Sequence, residues 1–327
     1  MDHHQLRRLQ AAFAARAETA SPMGRLLCES LGTGPVPAVA DVFGQFYRTI
    51  STEAPDVPLF LSALHHLALT GGAPDLAAFF PSCGGEAGPG VTGAAAAAVA
   101  RGRDDLLDFL LSRTFQPHVV ERSAALAAGA RAVGARFGGG LSLVEFGCGG
   151  GLCLLMDKHG YECPPVVGRH GLDPAPFNPA DPADRLVLES FFFPDEPERI
   201  GHLREAAAVL AAHGPLDIRQ GTAEADLLAL LAEAYATMPP GNTLLVMDSF
   251  VWPYLTDAQV QQVVWQIQHL AGRLEAHKPL AWLQLEPFGG GPAEVRLHTF
   301  GWSDPEDRQV RRLAETDWSG SGIIWLE

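Results

Sequence analysis

The sequence predicts an α/β protein in which an all-helical amino-terminal domain precedes a mostly parallel, Rossmann-like sheet of seven strands. Three observations predict it. From Gln5 to about Phe137 the apolar residues recur at helical spacing, with no strand-like run. Beyond Leu141, short β-branched and leucine-rich runs alternate with helical ones. The first of those runs ends in a turn holding four glycines within five residues.

Within the helical part, residues 1–137, the segments are rich in Ala and Leu. They stop at Ser21-Pro22, Gly32 to Pro37, Glu53 to Pro58 and Pro81 to Gly93, where Pro and Gly cannot continue a helix. The alanine run Ala94 to Ala98 starts a helix that continues through Leu111. In residues 138–327 the expected strands are Leu141 to Phe146, Pro165 to Gly168, Leu216 to Arg219, Thr243 to Ser249, Leu280 to Leu285, Val295 to Phe300 and Ile323 to Leu326. The last two lie close together, so the sheet is expected to end in an antiparallel pair.

Residues 144–153, Val-Glu-Phe-Gly-Cys-Gly-Gly-Gly-Leu-Cys, carry the chemistry. Gly147, Gly149, Gly150 and Gly151 let the chain turn tightly without Cβ clashes, so a ligand can approach bare backbone. A helix from Leu152 to His159 then points its first amides at that ligand, and Glu145 accepts hydrogen bonds beside it. The turn resembles the first motif of class I S-adenosyl-L-methionine (SAM) methyltransferases, with Cys148 between the first two glycines. The alternative is a tight strand-to-helix loop that holds no ligand.

Composition narrows the function. The chain has 327 residues, 47% of them hydrophobic, and no apolar run long enough to span a membrane. Its first residues, Met1-Asp-His-His-Gln-Leu-Arg-Arg-Leu, start polar and continue as an amphipathic helix rather than as an export signal, so the expected location is the cytoplasm. Five cysteines without paired spacing read as reduced thiols and not as a zinc site; no metal is expected. With 23 Lys and Arg against 38 Asp and Glu, the net charge of −15 argues against a nucleic-acid partner and for a small-molecule substrate. The oligomeric state is left open.

Several segments together resemble the DUF2332 family, bacterial proteins of uncharacterised function for which the resemblance implies a methyltransferase-like Rossmann domain. They are Ser21-Pro22-Met23, Ala63-Leu-His-His-Leu, Leu76-Ala-Ala-Phe-Phe-Pro-Ser, Arg113-Thr-Phe-Gln-Pro-His-Val-Val-Glu-Arg, the glycine turn, Arg169-His-Gly-Leu-Asp-Pro and Phe193-Pro-Asp-Glu-Pro-Glu-Arg. The likeness covers most of the chain. It departs where the family tends to carry Gln-Thr-Asn-Glu-Val: here Gln116 and Arg122 remain, but Pro117, His118 and Val119 intervene. In the turn, Cys148 and Gly149 replace the more usual Ala-Ser.

The Rossmann layout supplies further candidates. Asp173 ends the second strand, where an acid holds ribose hydroxyls, and Glu162 is its rival because Asp173 lies further than about twenty residues from the turn. Thr222 and Ala223 follow the third strand and face the adenine amine. Asp248 and Ser249 end the fourth, unless they cap a helix. Trp252 and Tyr254 wall a substrate pocket, unless Trp252 packs in the core; Glu286 follows the fifth strand, in reach of the same edge or as a cap of the Pro287 to Pro292 loop. His65 and His66 sit in an apolar helical run, so at least one is expected in the core. His118, Gln116, Arg122 and Asp248 are the catalytic candidates, and His65 and His170 join the pocket. A nucleophilic role for Cys148 would need its pKa lowered by the turn's amides. The implied activity is a SAM-dependent transferase acting on a small molecule, most simply a methyltransferase, with the helical half as a lid. The alternatives are an enzyme that cyclises or transfers the aminocarboxypropyl arm of SAM, and a non-catalytic nucleotide-binding or regulatory protein.

Overall fold

The computed structural model describes residues 1–32, 37–50, 54–288, 291–301, 308–320 and 322–326, so most of the expected stop at Gly32 to Pro37, the first residue of the one at Glu53 to Pro58 and part of the 287–292 loop lie outside the described residues. Among the described residues the chain opens with seven α-helices: α1 (His3–Glu18), α2 (Pro22–Gly32), α3 (Pro37–Ile50), α4 (Val57–Leu69), the single turn α5 (Pro74–Ala77), α6 (Val91–Arg101) and α7 (Arg103–Ser112). Asp2 and Asp56 set the starts of α1 and α4 by accepting the amides of Gln5 and Leu59. The expected single helix from Ala94 to Leu111 is instead two, parted at Gly102. A Cβ there would meet Leu67 Cδ2 at 2.4 Å, so α4 packs against that bare position.

After these come α8 (Arg122–Phe137), β1 (Leu141–Phe146), β2 (Val166–Asp173), α9 (Pro182–Ser190), α10 (Pro197–His213), β3 (Asp217–Gln220), α11 (Ala223–Thr237), β4 (Thr243–Ser249), α12 (Asp257–Ala271), β5 (Leu280–Glu286), β6 (Ala293–Phe300), β7 (Arg308–Thr316) and β8 (Ile324–Trp325). The described strands form one sheet of eight, in the order β3-β2-β1-β4-β5-β6-β7-β8. Pairing is parallel from β3 through β5 and antiparallel from β5 to β8. The mostly parallel α/β architecture agrees with the expectation; the strand count does not. The eighth strand is β7, whose residues Gln309 to Arg312 are all exposed, so it lacks the in-out alternation by which half-buried strands are read. The second strand also runs five residues beyond its expected end, to Asp173.

The chain divides into two compact units, residues 1–117 with 181–204, and 118–180 with 205–327. The division differs from the expected boundary at 137. Helix α8 belongs with the sheet because Ala125, Leu126, Ala130 and Val133 are buried in a core with Leu143, Met247 and Leu283, which a helix-period reading cannot distinguish from packing on other helices. On the opposite face α11 and α12 bury Leu227, Leu231, Val263 and Ile267 against Val144, Val246 and Trp282.

In the helical unit, several of the motif segments tie together. Asp195 accepts the Met23 amide at 2.9 Å and the Ser21 hydroxyl, capping α2. The Ser82 amide donates to Pro194 O at 2.9 Å. His65 is fully buried there: Nδ1–H donates to Phe192 O at 2.9 Å and Nε2 accepts from Ser82 Oγ at 2.7 Å. Burial lowers its pKa to about 4, so it is a neutral core histidine.

Candidate functional site

The parallel strands switch direction of progression between β1, flanked by β2, and β4, which places the crevice at their carboxyl ends. The glycine turn lies there. Gly147, Gly149 and Gly151 adopt φ of +65°, +54° and +71°, which side-chain-bearing residues rarely tolerate. The stretch after the turn, Leu152–Lys158, is a 3₁₀ segment kinked at Leu155 and not the expected α-helix.

The turn's amides are already engaged. Gly147 N–H and Cys148 N–H donate to Leu172 O, Gly151 N–H to Cys148 O at 2.8 Å, Gly149 N–H to Asp173 Oδ2 at 2.7 Å and Gly150 N–H to His118 Nε2 at 2.7 Å. Asp173 is buried, and its other oxygen accepts Ala175 N–H at 2.9 Å. Both residues therefore brace the turn. A Cβ on Gly149 would lie 1.7 Å from His118 Nε2, so the bare backbone accommodates the protein's own imidazole, which packs edge-on against Phe177. The rival acid, Glu162, is exposed before the amino end of β2, opposite the crevice.

Alternation along the strands separates the acids onto two faces. Glu145 and Asp173 lie on the α8 face. Glu145 is 3% exposed, and its Oε2 has no hydrogen-bond partner among the described residues. Burial first, then the charge of Asp173, raises its pKa to about 8, against the pull of Arg122. Arg122 itself is buried and structural: its guanidinium donates to Trp318 O at 3.1 Å and Ser249 O at 3.4 Å and lies 4.2 Å over the Phe250 ring.

Asp248 and Glu286 occupy the α11/α12 face, both fully buried. Asp248 Oδ1 accepts Trp282 Nε1–H at 2.5 Å, and Glu286 accepts the amides of Val251 and Trp252 at 2.6 and 3.3 Å. Burial pushes both carboxyls up, and the charge of Asp248 raises Glu286 further while hydrogen bonds from Trp282 and Glu286 hold Asp248 back, so the pair retains protons at pH values where exposed carboxylates are ionised. Glu286 thus clamps the segment after β4, in which Phe250 takes φ of +54°. Trp252 packs between Trp282 and Phe288 on this face.

The other candidates scatter. His170 sits inside β2 and pairs through Nδ1 with Asp217 Oδ2 at 3.1 Å, away from the carboxyl end. Tyr254 is 59% exposed. Thr222 precedes α11, where its amide donates to Asp226, and Ala223 is buried. Gln116 and His65 belong to the helical unit. Burial and the charges of Glu145 and Asp173 push the Cys148 thiol well up, the opposite of what a nucleophile at the turn needs. Among the described residues no three His, Cys, Asp or Glu side chains are grouped to hold a metal, and no helix is long and apolar enough to cross a membrane. Sequence reasoning passed over Phe250 and Trp318, since nothing in the chain marks a phenylalanine for a left-handed conformation.

Strand order β3-β2-β1-β4-β5, parallel and covered by helices on both faces, with a glycine turn at the switch point, defines an α/β protein with a mostly parallel central sheet. More particularly, the chain belongs to DUF2332, described as an uncharacterized protein conserved in bacteria, whose family model matches residues 7–165 and 162–325. Comparison with curated proteins and with solved structures returns no match.

Proposed function

We propose that this protein is a SAM-dependent transferase acting on a small molecule, most simply a methyltransferase. The observation that carries the reading is Glu145, a buried carboxyl at the end of β1 whose Oε2 has no hydrogen-bond partner among the described residues, immediately before a glycine turn at the switch point. The Asp173 carboxylate on the same face opposes a pyrophosphate, so a dinucleotide is disfavoured. A ligand carrying an ammonium and a sulfonium supplies the opposite charge, would lower the raised pKa of Glu145 and would satisfy its free oxygen. SAM, when bound, supplies an electrophilic carbon; the chain's part is to hold the nucleophile in line with it and exclude water. Glu145 would hold the cationic end. His118 would have to leave Gly150 N–H for a ligand to use that amide.

A second reading, a fold that has kept its shape without the chemistry, draws support from the engagement of the turn's five amides by protein groups. Calorimetry with SAM, together with mass spectrometry of the products, separates the readings. Binding that is weakened at least tenfold by Glu145→Gln supports the transferase, and adenosylhomocysteine formed with an acceptor establishes methyl transfer. Methylthioadenosine would indicate attack on the other arm. Absence of SAM binding in both the wild type and His118→Ala would sink every SAM-consuming reading and leave the second.

A further inference from the structure

A cavity of about 430 Å³ opens at the carboxyl end of β4, between the β5–β6 connection and the turn after β7. This volume lies within the range of small-ligand sites, roughly 300–1,000 Å³. Its apolar walls include Phe250, Pro292, Trp318 and Ile324, and its lining also includes Glu315, which pairs with Arg312, and Asp317, which accepts the Ser319 amide and hydroxyl; among the described residues no Lys, Arg or His lines it. Trp318 and Ile324 are 51% and 63% exposed, so two large apolar side chains of one cavity face solvent together.

The two principal walls are set by one buried cation. The Arg122 guanidinium stacks under the Phe250 ring at 4.2 Å and donates to Trp318 O at 3.1 and 3.3 Å. Gly320, at φ +77°, lets the turn lie directly on Arg122, since a Cβ there would come within 2.7 Å of Arg122 Cα. Phe250 holds φ of +54°, an unfavourable conformation for an aromatic residue, against the clamp of Glu286 on the next two amides. The next residue, Val251, packs on the glycine turn, with Cγ2 2.4 Å from where a Gly147 Cβ would stand. The cavity wall and the turn therefore share one short segment of chain.

We infer that this cavity is the acceptor pocket and that it takes an apolar, ring-bearing amine. As an acceptor assignment the inference rests on the transferase reading; as a binding site it stands without it. The apolar walls match a ring or branched chain, Trp318 offers a π face to an ammonium, and the Asp317 carboxylate disfavours an anionic ligand of the same shape, Glu315 being paired with Arg312. Arg122 is a positioning residue, acting on the ligand through Phe250 and Trp318.

The test is calorimetry, without SAM, of the full chain with 2-phenylethylamine, its isosteric alcohol and phenylacetate. The amine is expected to bind at least tenfold more tightly than phenylacetate, with the alcohol between. Trp318→Ala, at an exposed position, should weaken the amine at least tenfold while leaving thermal unfolding unchanged. Asp317→Asn should narrow the amine-to-carboxylate preference, and Arg122→Met should weaken binding of amine and alcohol alike. No binding of any probe, equal binding of amine and carboxylate, or indifference to Trp318→Ala would overturn the inference. Amine binding in a protein that fails to bind SAM would remove the transferase reading and keep the pocket; SAM binding without amine binding would do the reverse.

Discussion

Glu145 should cost the protein stability at neutral pH, and replacing it with glutamine should recover that loss. Its folded-state pKa is raised to about 8 from an ordinary 4.5, so between those values the native state keeps a proton that the unfolded chain releases. An unfolded state that binds fewer protons gains as pH rises, so stability falls from pH 4.5 to pH 8 and then levels. The cost from this one group is about 3 kcal/mol at pH 7 and about 5 kcal/mol above pH 8, at 1.36 kcal/mol per pH step. The amide of Glu145→Gln resembles the protonated carboxyl in shape and neutrality, so the variant should match the wild type near pH 4.5 and exceed it by about 3 kcal/mol at pH 7. The assay is urea unfolding at pH 4.5, 6, 7 and 8.5 followed by tryptophan fluorescence. Residues 1–117 and 181–204 contain no tryptophan, so the signal reports the sheet unit, which contains Glu145. Equal pH dependence in wild type and variant, or a variant less stable at pH 8.5, would refute the burial argument. A buried carboxyl that costs the free protein this much is what the proposed site for a cationic ligand would carry.

Three other outcomes are expected from the same geometry. Asp173→Asn presents an NH₂ to one of two amide donors and should destabilise the sheet unit by about 2–3 kcal/mol in urea, because buried charge-assisted bonds are lost; removing its charge should also lower the pKa of Glu145. Gly149→Ala places a Cβ against His118 at φ +54° and should cost more than about 2 kcal/mol, part of it recovered in the His118→Ala background; strict additivity in that double-mutant cycle would show that the two do not touch. His65 is neutral in the core with its pKa lowered to about 4, so the helical unit should lose stability as pH falls from 6.5 to 4, and His65→Ala, which breaks bonds to Phe192 O and Ser82 Oγ, should abolish that loss while lowering overall stability by about 3 kcal/mol. Circular dichroism across that pH range reads it.

Much of the sheet could be read directly because buried parallel strands are short apolar runs closed by glycine or polar residues. Leu141–Phe146 and Thr243–Ser249 have the expected ends to the residue. Strand β7 could not, since four of its residues face solvent and their arginines carry no period. The site was legible as a location and less so as an arrangement. The turn, Glu145, Asp173 and Asp248 all stand at the carboxyl edge, yet alternation sends Glu145 and Asp173 to one face and Asp248 and Glu286 to the other. Of the residues expected to wall a pocket, Trp252 packs on Trp282 and Tyr254 is exposed, and it is the preceding Phe250 that lines a cavity.

From local pattern alone came the helical beginning, the alternating end, the glycine turn and the family. Each depends on short-range spacing, on the chirality that reserves positive φ for glycine, or on strings of residues matched in order. Tertiary structure alone decided that His118 fills the space above Gly149, that Arg122 joins Phe250 to the Trp318 turn, and that residues 181–204 pack with the first helices. Those outcomes depend on which groups meet across gaps of tens to nearly two hundred residues, where burial and hydrogen-bond satisfaction select the partner and no local period records the choice.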